Sequence, residues 1–251
     1  MLLREDDRGL LAIGQPSHAW VSGQIARAWG NERFGAVEPL DEVCLAAEQH
    51  DVGWADRDLE PIYNPETGRP RSFMEMPIGI HLGLFTDGPR RLLSQSRYAA
   101  LLVSMHGWRL YARRDPERAS PADAEAIRAF LADQRSLQEE LIGTLGADRS
   151  LIERNSMLVW TWDYLSLALC LAWSPVTAKG CPTAEDEVDL ELRQASGGGS
   201  IRVEPWPFSA RKLTLRCEGR RVPGRFAGED EMRAAFARAP WESLEFELVA
   251  A

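Results

Sequence analysis

Cys44-Leu45-Ala46-Ala47-Glu48-Gln49-His50-Asp51-Val52-Gly53 is the stretch on which the reading of this chain turns. Leu40, Val43, Cys44 and Ala47 recur at helical spacing, and His50 and Asp51 continue that apolar stripe by one further turn. A helix whose buried face ends in an imidazole and a carboxylate carries costly groups into the core. A buried Asp in particular needs a hydrogen-bonded partner or a metal.

Working outward, the chain has four histidines, and each lies on an apolar face. His18 aligns with Val21, Ile25 and Trp29. His81 sits in the run Ile78-Gly79-Ile80-His81-Leu82. His106 follows Ala99, Leu102 and Val103 and precedes Leu110. A second inward carboxylate, Asp163, follows Val159 and Trp160 and precedes Leu167 and Cys170. Taken singly, each His reads as a hydrogen-bonded core histidine, and Asp51 as a helix-end residue with a loop partner. Taken together, neutral imidazoles and two carboxylates aimed inward from separate helices form a donor set that suits Zn, Fe or Mn.

Helical patterns cover residues 16–29, 39–52, 77–86, 90–113, 121–145 and 150–173, with a short helix over 229–239. The stretch Gly53–Met76 carries Pro61, Asn64-Pro65, Gly68 and Pro70 and reads as a long, functional loop. Period-2 runs occupy Val188–Leu192, Ile201–Val203, Lys212–Arg216 and Leu244–Leu248, and Met1–Leu3 with Gly9–Ile13 reads as a hairpin. Ser196–Ser200 reads as a flexible turn. The expected fold is α+β and mainly α: a helical bundle with a small antiparallel β appendage at the C-terminus, joined by the N-terminal hairpin. The expected division is a metal-binding domain over 1–180 and a β-rich appendage over 181–251 that packs on it and carries no ligand.

The 251 residues are 45% hydrophobic and 27% charged, with a net charge of −9, the profile of a soluble globular protein that does not bind nucleic acid. No apolar run is long enough to cross a membrane, and MLLREDDRGLL does not read as a secretory signal. Cys44, Cys170, Cys181 and Cys217 lack metal-ribbon spacing and read as reduced, structural thiols, which points to the cytoplasm. The only lysines are Lys179 and Lys212, so a cation meeting a substrate would be Arg or a metal.

The order His18, His50-Asp51, His81, His106, Asp163 resembles that of the HD-domain metalloenzymes. The text around His50-Asp51-Val52-Gly53 is similar to that family's helix ending, and Trp162-Asp163-Tyr164-Leu165-Ser166 is similar to its final helix. The likeness covers about residues 15–175, and the whole chain also resembles an uncharacterised bacterial HD-like family. The resemblance implies a helical bundle holding two divalent ions. Asp51 would bridge them, His18, His50 and Asp163 would help hold one, and His81 and His106 the other. Asp51, His81 and His106 are the residues it implies for catalysis. It implies a metal-dependent hydrolase acting on a small phosphoester. The alternatives are a dinuclear iron oxygenase cleaving a C–C or C–P bond, and a non-catalytic metal-binding or interaction module. Many hydrolytic members carry Lys soon after the HD step; Trp54 stands there instead.

Other residues near these positions carry two readings each. Trp20, Trp54, Trp108, Trp160 and Trp162 would wall a dry pocket or simply pack in the core. Arg57, Arg69, Arg71, Arg90, Arg91 and Arg109 would clamp an anionic small-molecule substrate or sit solvated at the surface. Glu48 and Asp56 would orient a ligand imidazole or face solvent. Cys44 reads as core, Ser17 as a helix-start residue, and Glu185-Asp186-Glu187 as a solvated linker.

Overall fold

The computed structural model describes residues 1–115, 119–195 and 199–251. The chain opens with strands β1 (Leu2–Asp6) and β2 (Gly9–Ile13), then helices α1 (Gln15–Ala28), α2 (Leu40–Gln49) and the short α3 (Ala55–Leu59). A small hairpin, β3 (Tyr63–Asn64) and β4 (Arg69–Pro70), precedes α4 (Ile78–Leu92), α5 (Arg97–Ala112), α6 (Pro121–Leu145) and α7 (Arg149–Cys170). Strands β5 (Val176–Pro182), β6 (Glu187–Gln194), β7 (Ser200–Glu204) and β8 (Lys212–Val222) follow, then α8 (Glu229–Arg238) and β9 (Trp241–Ala250).

Local chemistry sets the helix ends. Ser120 accepts from the Asp123 amide and Pro121 opens α6, which ends at Gly146 with φ 58°. Asp148 caps α7 through the Ser150 amide. One expected helix boundary moves: α4 runs on past residue 86 through Pro89, and Ser96 restarts the chain as α5 by accepting from the Ala99 amide. The expected long loop after Asp51 is largely structured. It holds a 3-10 turn at Val52–Trp54, α3, the β3–β4 hairpin, and a second 3-10 turn at Phe73–Glu75 closed by a Ser72–Glu75 capping box.

The expectation of a mainly helical bundle with a small β appendage is overturned. The structure is about 50% helical and 24% strand, and its main sheet is a curled half-barrel of seven strands. The strand order is β1-β2-β8-β9-β7-β6-β5. The sheet is also not wholly antiparallel, because β9 returns beside β7 in parallel register, Ser200 to Glu247 through Val203 to Ala250. Two features hid its extent. Val176–Pro182 lacks clean alternation and bulges between Ala178 and Cys181, so β5 carries no strand signal in the sequence. In β8 the inward positions pass from Leu215 and Cys217 to Gly219, which ends the apolar alternation while the strand continues.

The sheet is part of the main core rather than an addition to it. One buried cluster joins Leu11 and Ile13 of the hairpin, Ile25, Val43, Leu102 and Trp162 of four helices, and Leu190, Leu215 and Leu248 of the sheet. Helix α1 lies on β8, and α7 on β5. On the other side of the hairpin, Met232 and Phe236 of α8 pack with Leu10 and Val222. Of the expected Ser196–Ser200 turn, residues 196–198 lie outside the described residues. Glu185-Asp186-Glu187 lies where β5 turns into β6, closed by Thr183 hydroxyl donation to Asp186 at 2.7 Å. Among the described residues no helix is long and apolar enough to cross a membrane.

Candidate metal centre

Four helices and the turn after α2 supply the site. His18 is in the first turn of α1, and His50 caps the end of α2. Asp51 opens the 3-10 turn that follows, with φ −112° and ψ 22°. His106 lies in α5 and Asp163 in α7. Gly53 permits this arrangement: a Cβ there would overlap the Leu84 carbonyl oxygen of α4, so only glycine lets the turn seat against that backbone.

Five of the six expected residues converge. His18 Nε2 is 2.9 Å from Asp51 Oδ2, and His50 Nε2 is 3.2 Å from Asp163 Oδ1 and 3.7 Å from Asp51 Oδ2. His106 Nε2 is 4.0 Å from Asp163 Oδ2. Their donor atoms make two overlapping groups, His18-His50-Asp163 and His50-Asp51-His106, each within 4.8 Å. His81 is in neither group. Its Nδ1 is bonded to the Tyr111 hydroxyl and its ring lies against Trp54 and Phe85.

Hydrogen bonds aim the imidazoles. His50 Nδ1–H donates to the Ala47 carbonyl at 2.8 Å, which points Nε2 at both carboxylates, where it carries a proton that a metal would have to displace. The Ser166 hydroxyl finds its acceptor in the Asp163 carbonyl at 2.8 Å, so it is free to accept from His18 Nδ1–H at 2.9 Å. In the other tautomer His18 Nε2–H donates to Asp51 Oδ2 at 2.9 Å, and a cation at the site would take the place of that proton. His50 Nε2 and Asp51 Oδ1 are buried with no hydrogen-bond partner, and so is His106 Nδ1. Buried polar atoms are rarely left this way without a missing partner.

The electrostatics agree. Burial opposes charge on His50, but Asp51 and then Asp163 overcome it and hold its pKa at about 9. Burial acts against the Asp51 carboxylate too, yet His50, His18 and His106 keep it well below the usual range. Asp163 is likewise lowered, by His50, His106 and His18 against burial. Burial dominates at His106 and His81 and pushes both to about 4. Two carboxylates therefore share a buried core with a protonated His50. One divalent ion would balance both carboxylates. These residues fit a metal.

The remaining expectations divide. Trp54 and Trp160 do wall the site, Trp54 5.1 Å from His81 and Trp160 5.8 Å from His106, ring to ring. Trp162 is core, against Trp29, while Trp20 and Trp108 face away beneath Arg27 and Arg135. The expected arginine clamp is largely engaged elsewhere: Arg69 on Glu5, Arg90 on Asp133, Arg91 on Asp56, Arg109 on Glu153, and Arg71 on the Glu75 carbonyl. Arg57 is part-buried in α3, its Nε without a partner. Glu48 pairs with Arg27 and Asp56 with Arg91, so neither orients a ligand; Ala47 and Ser166 do. Cys44 is buried, its thiol pushed up to about 11 by burial, as befits core. Ser17 lines a cavity between α1 and β8. Tyr111 and Ser166, which bond to His81 and His18, carry no mark in the sequence, because a Tyr or Ser on a buried helix face has no spacing signal of its own.

No curated protein and no solved structure matches the chain. A family model matches residues 1–224, and on that match the chain belongs to the family described as "Protein of unknown function (DUF3891)".

Proposed function

We propose that this protein is a metal-dependent hydrolase of the HD type in its ligand order, acting on a small phosphoester. The observation that carries the reading is the pair of overlapping His/Asp groups in a buried setting, with His50 Nε2 and Asp51 Oδ1 unpartnered. His18, His50, Asp51 and Asp163 would hold the tighter ion, and His106 would hold a second, weaker one with His50 and Asp51. Both donor groups draw on His50, whose Nδ1 is already given to Ala47. A single nitrogen serves one ion, so the first position fills before the second. When bound, a divalent ion polarises a substrate oxygen and lowers the pKa of a water.

The chain's own residues do the rest. Asp51 and Asp163 supply the negative charge that a dication needs. The Ala47 carbonyl and Ser166 hydroxyl hold the His50 and His18 rings in the ligating orientation. Tyr111 fixes the His81 ring at the edge of the centre, and Trp54, Phe85 and Trp160 keep that edge apolar, which strengthens electrostatics inside it. The test is elemental analysis of protein purified without added metal or chelator, followed by hydrolysis of p-nitrophenyl phosphate by the same sample. Zinc or manganese at one to two equivalents per chain, with turnover, is expected. No transition metal would sink the reading, and two equivalents of iron with dioxygen uptake would replace hydrolysis by oxygenase chemistry.

A further inference from the structure

The side on which the centre meets solvent is marked by one residue. The Asp163 side chain is 14% exposed, whereas those of its four partners are at most 5%. Trp160 is three residues before Asp163 on α7 and so lies on the same face, half-buried, with its ring on His106. Arg113 lies over that Trp160 ring, 4.8 Å from its centroid. The next residue, Arg114, lies 4.5 Å over the ring of Tyr111, whose hydroxyl holds His81. Two adjacent exposed arginines thus rest on aromatic rings, Arg113 on the ring that touches His106 of the site and Arg114 on the ring whose hydroxyl holds the neighbouring His81.

These two differ from the arginines singled out by sequence position. Most of those are spent on carboxylates, whereas among the described residues no carboxylate pairs with Arg113 or Arg114. Stacking restrains the guanidinium plane while leaving its N–H edges free, which is the arrangement that suits bidentate contact with an oxyanion. Arg114 is also near enough for its charge to be felt at His81, where it adds to the dominant effect of burial. A chain with net charge −9 repels anions overall, so an anionic substrate needs a local cationic entry.

We propose that Arg113 and Arg114 are the anion-binding, specificity-determining residues of this site, and that its substrate presents a terminal phosphoryl group to them. The proposal rests on the metal-centre reading for what happens after binding, but not for the binding itself. The two guanidiniums grip non-bridging phosphate oxygens at the mouth and hold the ester over Asp163, between the Trp160 and Tyr111 rings.

The test uses full-length, metal-loaded protein and inorganic phosphate as the probe, titrated calorimetrically. Arg113→Ala and Arg114→Ala are each expected to weaken phosphate binding about tenfold, as loss of a charge-assisted contact does. Metal content and thermal unfolding should stay as in wild type, because both side chains are exposed. Arg→Lys variants keep the charge but lose the planar fork, and should fall between. Arg135→Ala is the control: Arg135 is stacked on Trp108 in the same way but away from the site, and its loss should change nothing. Wild-type phosphate affinity in both arginine variants, an equal loss in Arg135→Ala, or metal-loaded wild type that does not bind phosphate would each overturn the proposal. Protein that takes up no metal yet binds phosphate through these two arginines would sink the hydrolase reading and leave the clamp standing.

Discussion

The two sides of the buried histidine cluster use the same side chain in opposite ways. On the acidic side, His50 lies among Asp51 and Asp163 and keeps its proton to about pH 9. On the aromatic side, His106 and His81 face Trp160, Phe85 and Trp54, and burial drops both to about 4. All three rings are buried, so burial alone does not decide which is charged; the nearby carboxylates do. The acidic side gathers two carboxylates around a protonated imidazole, the charge pattern on which the proposed metal site rests. The aromatic side is built to present neutral nitrogens in a dry setting.

The sharpest way to break this contrast is to remove its cause. Asp51→Ala deletes the carboxylate that both His18 and His50 face. Metal stoichiometry should fall to near zero by elemental analysis. The metal-free protein should also lose on the order of 3 kcal/mol in denaturant unfolding, the usual cost of breaking a buried charge pair. If Asp51→Ala still holds metal at wild-type level, the acidic side is not the ion's seat.

A pH titration sets the proton against the metal. The metal-free protein gains stability from His50 that is full below its ordinary value of 6.5 and is lost as pH rises through about 9. Asp51 works in the other direction: its contribution is full above its ordinary 3.8 and is lost as acid titrates the folded carboxylate. Metal-free protein should therefore unfold at a falling temperature between pH 6.5 and 9. Metal must displace the His50 proton, so its affinity should climb by up to about tenfold per pH unit over the same interval. Metal-loaded protein should show a nearly flat profile over that interval, because the rising metal affinity cancels the lost proton, and parallel slopes with and without metal would remove His50 from the ligand set.

His106→Ala tests the aromatic side at lower cost. Asp51, His18, His50 and Asp163 remain, so the tighter ion should stay and only a second equivalent should be lost. If a two-equivalent wild type keeps both ions in this variant, His106 is an ordinary core histidine. A wild type with one equivalent would instead leave His81 and His106 free to face substrate.

How much of this was legible in the sequence depends on whether a feature has a period. The inward faces of His18, His50, His106 and Asp163 could be read because helical spacing fixes direction. Their convergence could be read because buried carboxylates need partners. The sheet was underestimated because Gly219 and the Ala178–Cys181 bulge interrupt alternation without ending a strand. Which arginines are held in ion pairs could not be read, because nearness in sequence to a ligand says nothing of pairing. Arg91 shares α4 with His81 yet pairs with Asp56, while Arg113, several residues past His106, lies over Trp160. Tyr111 could not be read at all, since its role is a single hydrogen bond between α5 and α4.

That bond sets the smallest expected effect and the finest test of the two-sided picture. Tyr111→Phe keeps the ring against Phe85 and Phe130 and removes only the hydroxyl on His81 Nδ1. The loss should be about 1 kcal/mol of stability, the net worth of one hydrogen bond, somewhat more if Nδ1 is left unsatisfied. The tighter ion, which does not touch His81, should bind as before. If the aromatic side serves only as packing, nothing else should change. If His81 has to present its ring at a fixed angle, hydrolysis at saturating substrate should fall several-fold while metal content and phosphate affinity hold. A change in the tighter ion's affinity would mean instead that the two sides are coupled, because a hydroxyl that contacts only His81 would then reach the carboxylates through the packed wall of Trp54 and Phe85.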